Sequence, residues 1–186
     1  MKSTSSGNGS GSKVRALTMS AVFSALGVVI LSLGSLFEVF DLTLTAVASL
    51  LIALAVIELG SYWPFLIYAV TGVLSALLLP NKFPAVVYLL FAGYYPIFKE
   101  LFERQHNIVV RWLLKFSLFN TALLLIILVS TYLLHLEDTG MAYRIGVFGM
   151  GNLCFLLYDL TFSKLIILYL IKLRRMFGLS NYFKNK

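Results

Sequence analysis

From Ala16 to Phe37 the chain runs for 22 residues without a charged side chain. An α-helix rises about 1.5 Å per residue, so roughly 20 such residues cross the ~30 Å hydrocarbon layer of a bilayer. Five further apolar runs follow: Leu42–Ile57, Tyr62–Leu79, Phe83–Phe98, Phe116–Leu136 and Ile145–Ile171. Hydrophobic residues make up 60% of the chain and charged ones 12%, against roughly 45–50% and 25% in soluble domains. So little charge does not clothe a surface facing water. No ten-residue alternating segments suggest a β-barrel. The expected fold is all-α, a polytopic membrane protein with six transmembrane helices in a compact bundle and both termini cytoplasmic.

Polar punctuation separates the runs. Glu38 and Asp41 close the first, and Glu58, Gly60 and Ser61 the second. Tyr62 and Trp63 open the third as interfacial aromatics, and Pro80, Asn81 and Lys82 end it. The fourth run is short, and Gly93 and Pro96 predict a tilted, kinked or partly re-entrant segment. Charged and apolar residues interleave from Lys99 to Arg111, as suits a helix on the membrane surface. Glu137–Asp138 and Thr139–Gly140 turn the chain between the last two spans. Residues 1–12, rich in Ser and Gly, read as a flexible N-terminal tail or linker and not a signal peptide. The membrane domain covers 13–176, and 177–186 form a basic cytoplasmic tail.

Charge placement gives an orientation. With the N-terminus inside, the inner segments carry Lys2, Lys13, Arg15, Lys99, Arg104, Arg111, Lys115, Lys172, Arg174, Arg175, Lys184 and Lys186, twelve of the 15 basic residues. Lys82 and Arg144 stand on the outer side and Lys164 lies within a span. This bias follows the positive-inside rule, and both ends on one side require an even number of spans. The net charge of +7 is then a feature of the inner membrane face, with no nucleic-acid partner implied. Multi-pass residence in a bacterial cell membrane is the expected localisation.

Polar groups inside a span should face protein or a water-filled cavity, because a charge at mid-bilayer costs about 2.5–3.5 kcal/mol even on insertion scales. In the sixth run Asn152, Asp159 and Ser163 share one helical face, while Lys164 points elsewhere. Asn152 and Asp159 either line a ligand cavity or, as the alternative for Asp159, pair with a neighbouring helix through a Tyr or Asn120. Lys82 and Arg144, the outer cations, either attract an anionic solute or cap loops, and Tyr88 either lines a pocket or is an ordinary interfacial tyrosine. His135 lacks companions for a metal site. The lone Cys154 forms no disulfide and reads as packing. P-loop, H-E-x-x-H and G-x-S-x-G motifs are missing, so neither an enzyme nor a cofactor is expected.

The first span carries Ser20, Ala21, Ser24, Ala25 and Gly27. Ala21 and Ala25 form a small-x-x-x-small pattern that lets another helix approach closely. A six-span chain with cytoplasmic ends, Arg15 opening the first span and this A-x-x-x-A pattern resembles the substrate-binding S components of energy-coupling factor (ECF) vitamin transporters. The resemblance implies that Ala21 and Ala25 dock on a transmembrane coupling protein driven by two ATPase subunits. It also implies an outward-opening pocket for a small vitamin-like substrate, walled by the outer halves of the fourth to sixth spans and gated by Glu38–Asp41, with Lys82, Tyr88, His135, Arg144, Asn152 and Asp159 as its substrate-binding residues. The alternative is a structural or assembly protein of the bacterial envelope that transports no ligand. That reading expects Asp159 and Asn152 in tight packing without a cavity beside them.

Overall fold

The computed structural model describes residues 8–60, 62–132 and 141–173. Every regular element among them is helical: α1 (Asn8–Leu36), a 3-10 turn (Glu38–Phe40), α2 (Asp41–Glu58), α3 (Trp63–Leu78), α4 (Phe83–Val87) running into a π-turn (Tyr88–Ala92), α5 (Tyr95–Glu103), α6 (Ile108–Tyr132) and α7 (Met141–Leu168) ending in a second π-turn (Tyr169–Leu173). Among the described residues five segments are long and apolar enough to cross a membrane: Lys13–Leu36, Asp41–Glu58, Phe83–Glu103, Ile108–Thr131 and Gly146–Ile171. α3, with 16 residues, is apolar but shorter than ~30 Å of hydrocarbon asks of a straight helix. The chain is therefore a helical protein with five to six membrane-spanning candidates.

Two expectations about the elements change. The fourth run is not the short one. Through its π-turn and α5 it continues as a 21-residue segment to Glu103, so α3 is the shortest of the apolar helices that match the six runs. The single surface helix expected over Lys99–Arg111 divides instead: α5 carries Lys99 to Glu103, the chain turns at 104–107, and α6 begins at Ile108. At the other end, α1 starts at Asn8, inside the Ser/Gly-rich stretch.

The chain forms two compact units, 1–98 and 99–186. In the first, α1 packs most extensively on α2 and α3. Small residues make this possible. Ser20 and Ser24 are buried, and a Cβ on Gly27 would lie 2.9 Å from Thr71 Cγ2. The Thr71 hydroxyl reaches the Ser24 carbonyl at 3.5 Å. A polar clasp ties the end of α1 to the turn after α3: Ser35 Oγ and Asn81 exchange hydrogen bonds at 3.2 and 2.9 Å. Asn81 Nδ2 donates to Asp41 Oδ2 at 3.2 Å, and Phe83 N–H donates to Asn81 Oδ1 at 3.0 Å.

The π-turn has a local cause in Gly93 and Pro96. Gly93 N–H reaches back to the Tyr88 carbonyl at 2.8 Å, and Pro96 brings no N–H to continue an α ladder. Widening the turn by one residue leaves carbonyls to satisfy. Tyr68 donates to the Leu89 carbonyl at 2.8 Å and Tyr94 to that of Leu90 at 2.5 Å.

In the second unit α6 and α7 pack side by side. Phe119 and Phe155 stack with ring centroids 4.5 Å apart, and Phe116 meets Phe155 edge-on at 5.6 Å. Cys154 lies exposed on α7 as a free thiol, outside the packing expected of it.

Candidate functional site

The most unusual chemistry lies in the second unit, where α5, α6 and α7 meet on four charged side chains. Asp159, on α7, is 2% exposed. Its Oδ1 accepts from Lys99 Nζ of α5, and its Oδ2 accepts from Lys115 Nζ of α6 at 2.8 Å. Both lysines are buried as fully as the aspartate. Ser163, one turn beyond Asp159, accepts from Lys99 Nζ at 2.8 Å and donates to the Asp159 carbonyl at 2.8 Å. Glu103, one turn beyond Lys99, places Oε1 3.0 Å from Lys99 Nζ and 3.3 Å from Lys115 Nζ. Two ammonium groups thus share two carboxylates, and the charges of these four side chains balance.

Helix geometry builds this arrangement from ordinary spacings. Lys99 with Glu103, and Asp159 with Ser163, are i, i+4 pairs that lie one above the other on their helices. Lys115 stands between Leu114 and Phe116, and its ammonium sits 5.4 Å from the centroid of Trp112. Each buried ion gives up several kcal/mol of hydration, recovered only where every charge meets an opposite one with good hydrogen bonds. Here each does. Glu103 alone is substantially open, with its side chain 44% exposed.

One to two turns along α7 lies a neutral counterpart. Asn120 and Asn152 exchange amide hydrogen bonds, each Nδ2 donating to the other's Oδ1 at 3.0 Å. Their second N–H groups return to their own helices, at Phe116 O (2.9 Å) and Phe148 O (2.8 Å). Each amide therefore uses both its hydrogens and its oxygen. An open groove of about 810 Å³ runs along α6, lined by Ile108, Val109, Trp112, Leu113, Phe116, Ser117 and Asn120.

The candidate residues are distributed across the structure as follows. Asp159 and Asn152 share the expected face of α7; Asp159 meets Lys99 and Lys115, and Asn120 is the partner of Asn152. Lys82 caps α3, its Nζ donating to the carbonyls of Leu79 at 2.6 Å and Leu77 at 3.3 Å. Tyr88 is 1% exposed and packs beside Tyr68, ring centroids 6.0 Å apart. His135 lies outside the described residues, as does the side chain of Arg144. Ala21 and Ala25 are exposed on α1. Among the described residues no group of His, Cys, Asp and Glu gathers to hold a metal ion.

Sequence reasoning placed Lys99 and Lys115 among the inner-segment charges and missed their meeting with Asp159. The signal was the need for compensation. An aspartate inside an apolar run requires a cation, and the two preceding spans are bordered by Lys99, which follows Phe98, and by Lys115, between Leu114 and Phe116. No family model, curated protein or solved structure matches the chain.

Proposed function

We propose that the chain is the membrane-embedded substrate-binding subunit of an ECF-type importer for a vitamin or similar micronutrient. In this reading both termini are cytoplasmic, six helices span the cell membrane, and the subunit docks on a transmembrane coupling protein driven by separate ATPases. The observation that carries it is the division of α1. Ser20, Ser24 and Gly27 turn inward, with Ser24 and Gly27 meeting Thr71 on α3, while Ala21 and Ala25 stay exposed. The helix presents a small-residue strip to which a second helix can come close.

The test is co-purification. Ala21→Trp with Ala25→Trp is expected to abolish recovery of coupling and ATPase subunits with the chain, while leaving small-molecule binding intact. Undiminished recovery with the double variant would remove the docking role.

A second reading, a structural or assembly protein of the envelope, is favoured by a different observation: Asp159 and Asn152 are both engaged with neighbouring helices. Mass spectrometry of small molecules released from the purified protein separates the two. A vitamin-like compound recovered in stoichiometric amount supports the importer. None recovered from protein that still co-purifies with membrane partners supports assembly.

A further inference from the structure

We infer that Lys99 and Lys115 form a binding site for the phosphate group of an anionic phospholipid, and that Glu103 holds that site as an internal substitute when no lipid is bound. On its buried side the lysine pair is closed by Asp159, one oxygen to each ammonium. On its open side Glu103 Oε1 is shared by both, at 3.0 and 3.3 Å. An oxygen bridging two ammonium groups is also what a phosphodiester offers. The two carboxylates differ in how easily they leave. Asp159 is encased, whereas Glu103 is 44% exposed on the last residue of α5, and can turn into water. Among these four side chains its departure leaves two cations against one anion, a surplus that favours another negative group.

Position and surroundings select a lipid. The exposed polar turn at 104–107 adjoins Glu103 and belongs at the level of water and head groups. Lys99 lies one turn from it and Lys115 about two, so both reach toward the interface with their stems against apolar side chains. Trp112 stands beside Lys115, a residue type enriched at head-group level. From Trp112 the apolar groove along α6 continues past Leu113 and Phe116, giving an acyl chain a surface to follow while its phosphate meets the lysines. A free anion would find the same charge but no use for the groove. None of this depends on whether the chain carries a vitamin.

The experiment is native mass spectrometry of the full chain in non-ionic detergent, titrated with phosphatidylglycerol and with phosphatidylcholine of identical acyl chains. Phosphatidylglycerol is expected to bind in preference. Glu103→Gln removes the internal competitor without unpairing Asp159, so it should tighten phosphatidylglycerol binding about five-fold, the effect of one charge near a membrane surface. Phosphatidylcholine should bind as before. Lys115→Gln should abolish the preference, with Glu103→Gln the deciding variant if Lys115→Gln does not fold. Equal binding of the two lipids, or unchanged or weaker phosphatidylglycerol binding in Glu103→Gln, would overturn the site. Displacement of the lipid by millimolar inorganic phosphate would overturn its assignment to lipid.

Discussion

In the unit up to Phe98 close helix contacts come from small side chains: Ser20, Ser24 and Gly27 on α1, and Thr71 and Gly72 on α3. Its buried acids, Asp41 and Glu58, are the first and last residues of α2, where the helix ends. In the unit from Lys99 onward three helices converge on Lys99, Lys115, Asp159 and Glu103, and phenylalanines fill the adjoining space. The contrast follows from what lipid removes. Burial of apolar surface gives little drive between helices that are already in hydrocarbon, so helices hold together by close approach or by strong polar bonds. The first unit relies on closeness, and a misfit should damage it. The second relies on compensated charge, and a lost partner should damage it.

The largest effect is expected at Asp159. Asp159→Leu leaves two buried ammonium groups without their inner carboxylate, and breaking a buried pair in this way costs about 3–5 kcal/mol. The thermal unfolding midpoint of the purified chain in detergent should fall steeply, or folded protein should fail to accumulate. Replacing all three partners together, Asp159→Leu with Lys99→Met and Lys115→Met, should restore most of that loss, because an apolar set of similar volume needs no compensation. A triple variant as unstable as the single one would show that Asp159 matters through something other than its lysines.

Next comes the misfit. A Cβ at Gly93 would lie 2.5 Å from Tyr68 Cδ2 and 2.9 Å from Tyr88 Cε1, and the Tyr68 ring is held by its bond to the Leu89 carbonyl. Rings fixed in this way have little room to yield, so Gly93→Ala should destabilise by about 1–3 kcal/mol. The matching change in the other unit, Gly149→Ala, meets open space within its unit. It should be neutral or stabilising by up to about 1 kcal/mol, the helical preference of Ala over Gly. Paired melting curves decide the matter, and equal losses at the two sites would erase the distinction between the units.

These two sites also mark how far the sequence could be read. Helical class and the approximate bounds of the first, second, third and sixth runs were legible, because uncharged stretches near 20 residues leave few alternatives in a bilayer. The face shared by Asn152, Asp159 and Ser163 was legible too, since it depends only on helical period. The partners of that face were not. Lys99 and Lys115 lie 60 and 44 positions from Asp159, and no local period links residues on three helices. The fourth run misled for a different reason: Gly93 and Pro96 do mark a break in the α ladder, but a π-turn carries the chain through it, with tyrosine hydroxyls on the Leu89 and Leu90 carbonyls, and the helix resumes. Compensation by residues elsewhere in the fold is invisible to a scan along one segment.

The smallest effect should come from the amide pair, which tests whether polar bonding in the second unit extends beyond its charges. Asn120 and Asn152 each carry a reciprocal bond and a bond to their own helix. Changing either one to Leu strands one oxygen and one N–H of the other in apolar surroundings, whereas changing both strands nothing. A double-mutant cycle of Asn120→Leu and Asn152→Leu should therefore give a favourable coupling near the ~0.6 kcal/mol average for bonds between membrane helices, with about 1.7 kcal/mol as a ceiling. The coupling stays modest because, once the helices separate, each amide keeps its bond to its own helix and finds other partners. A coupling of zero would mean that the two amides are satisfied independently, and that the second unit is joined by its ion cluster and its phenylalanines alone.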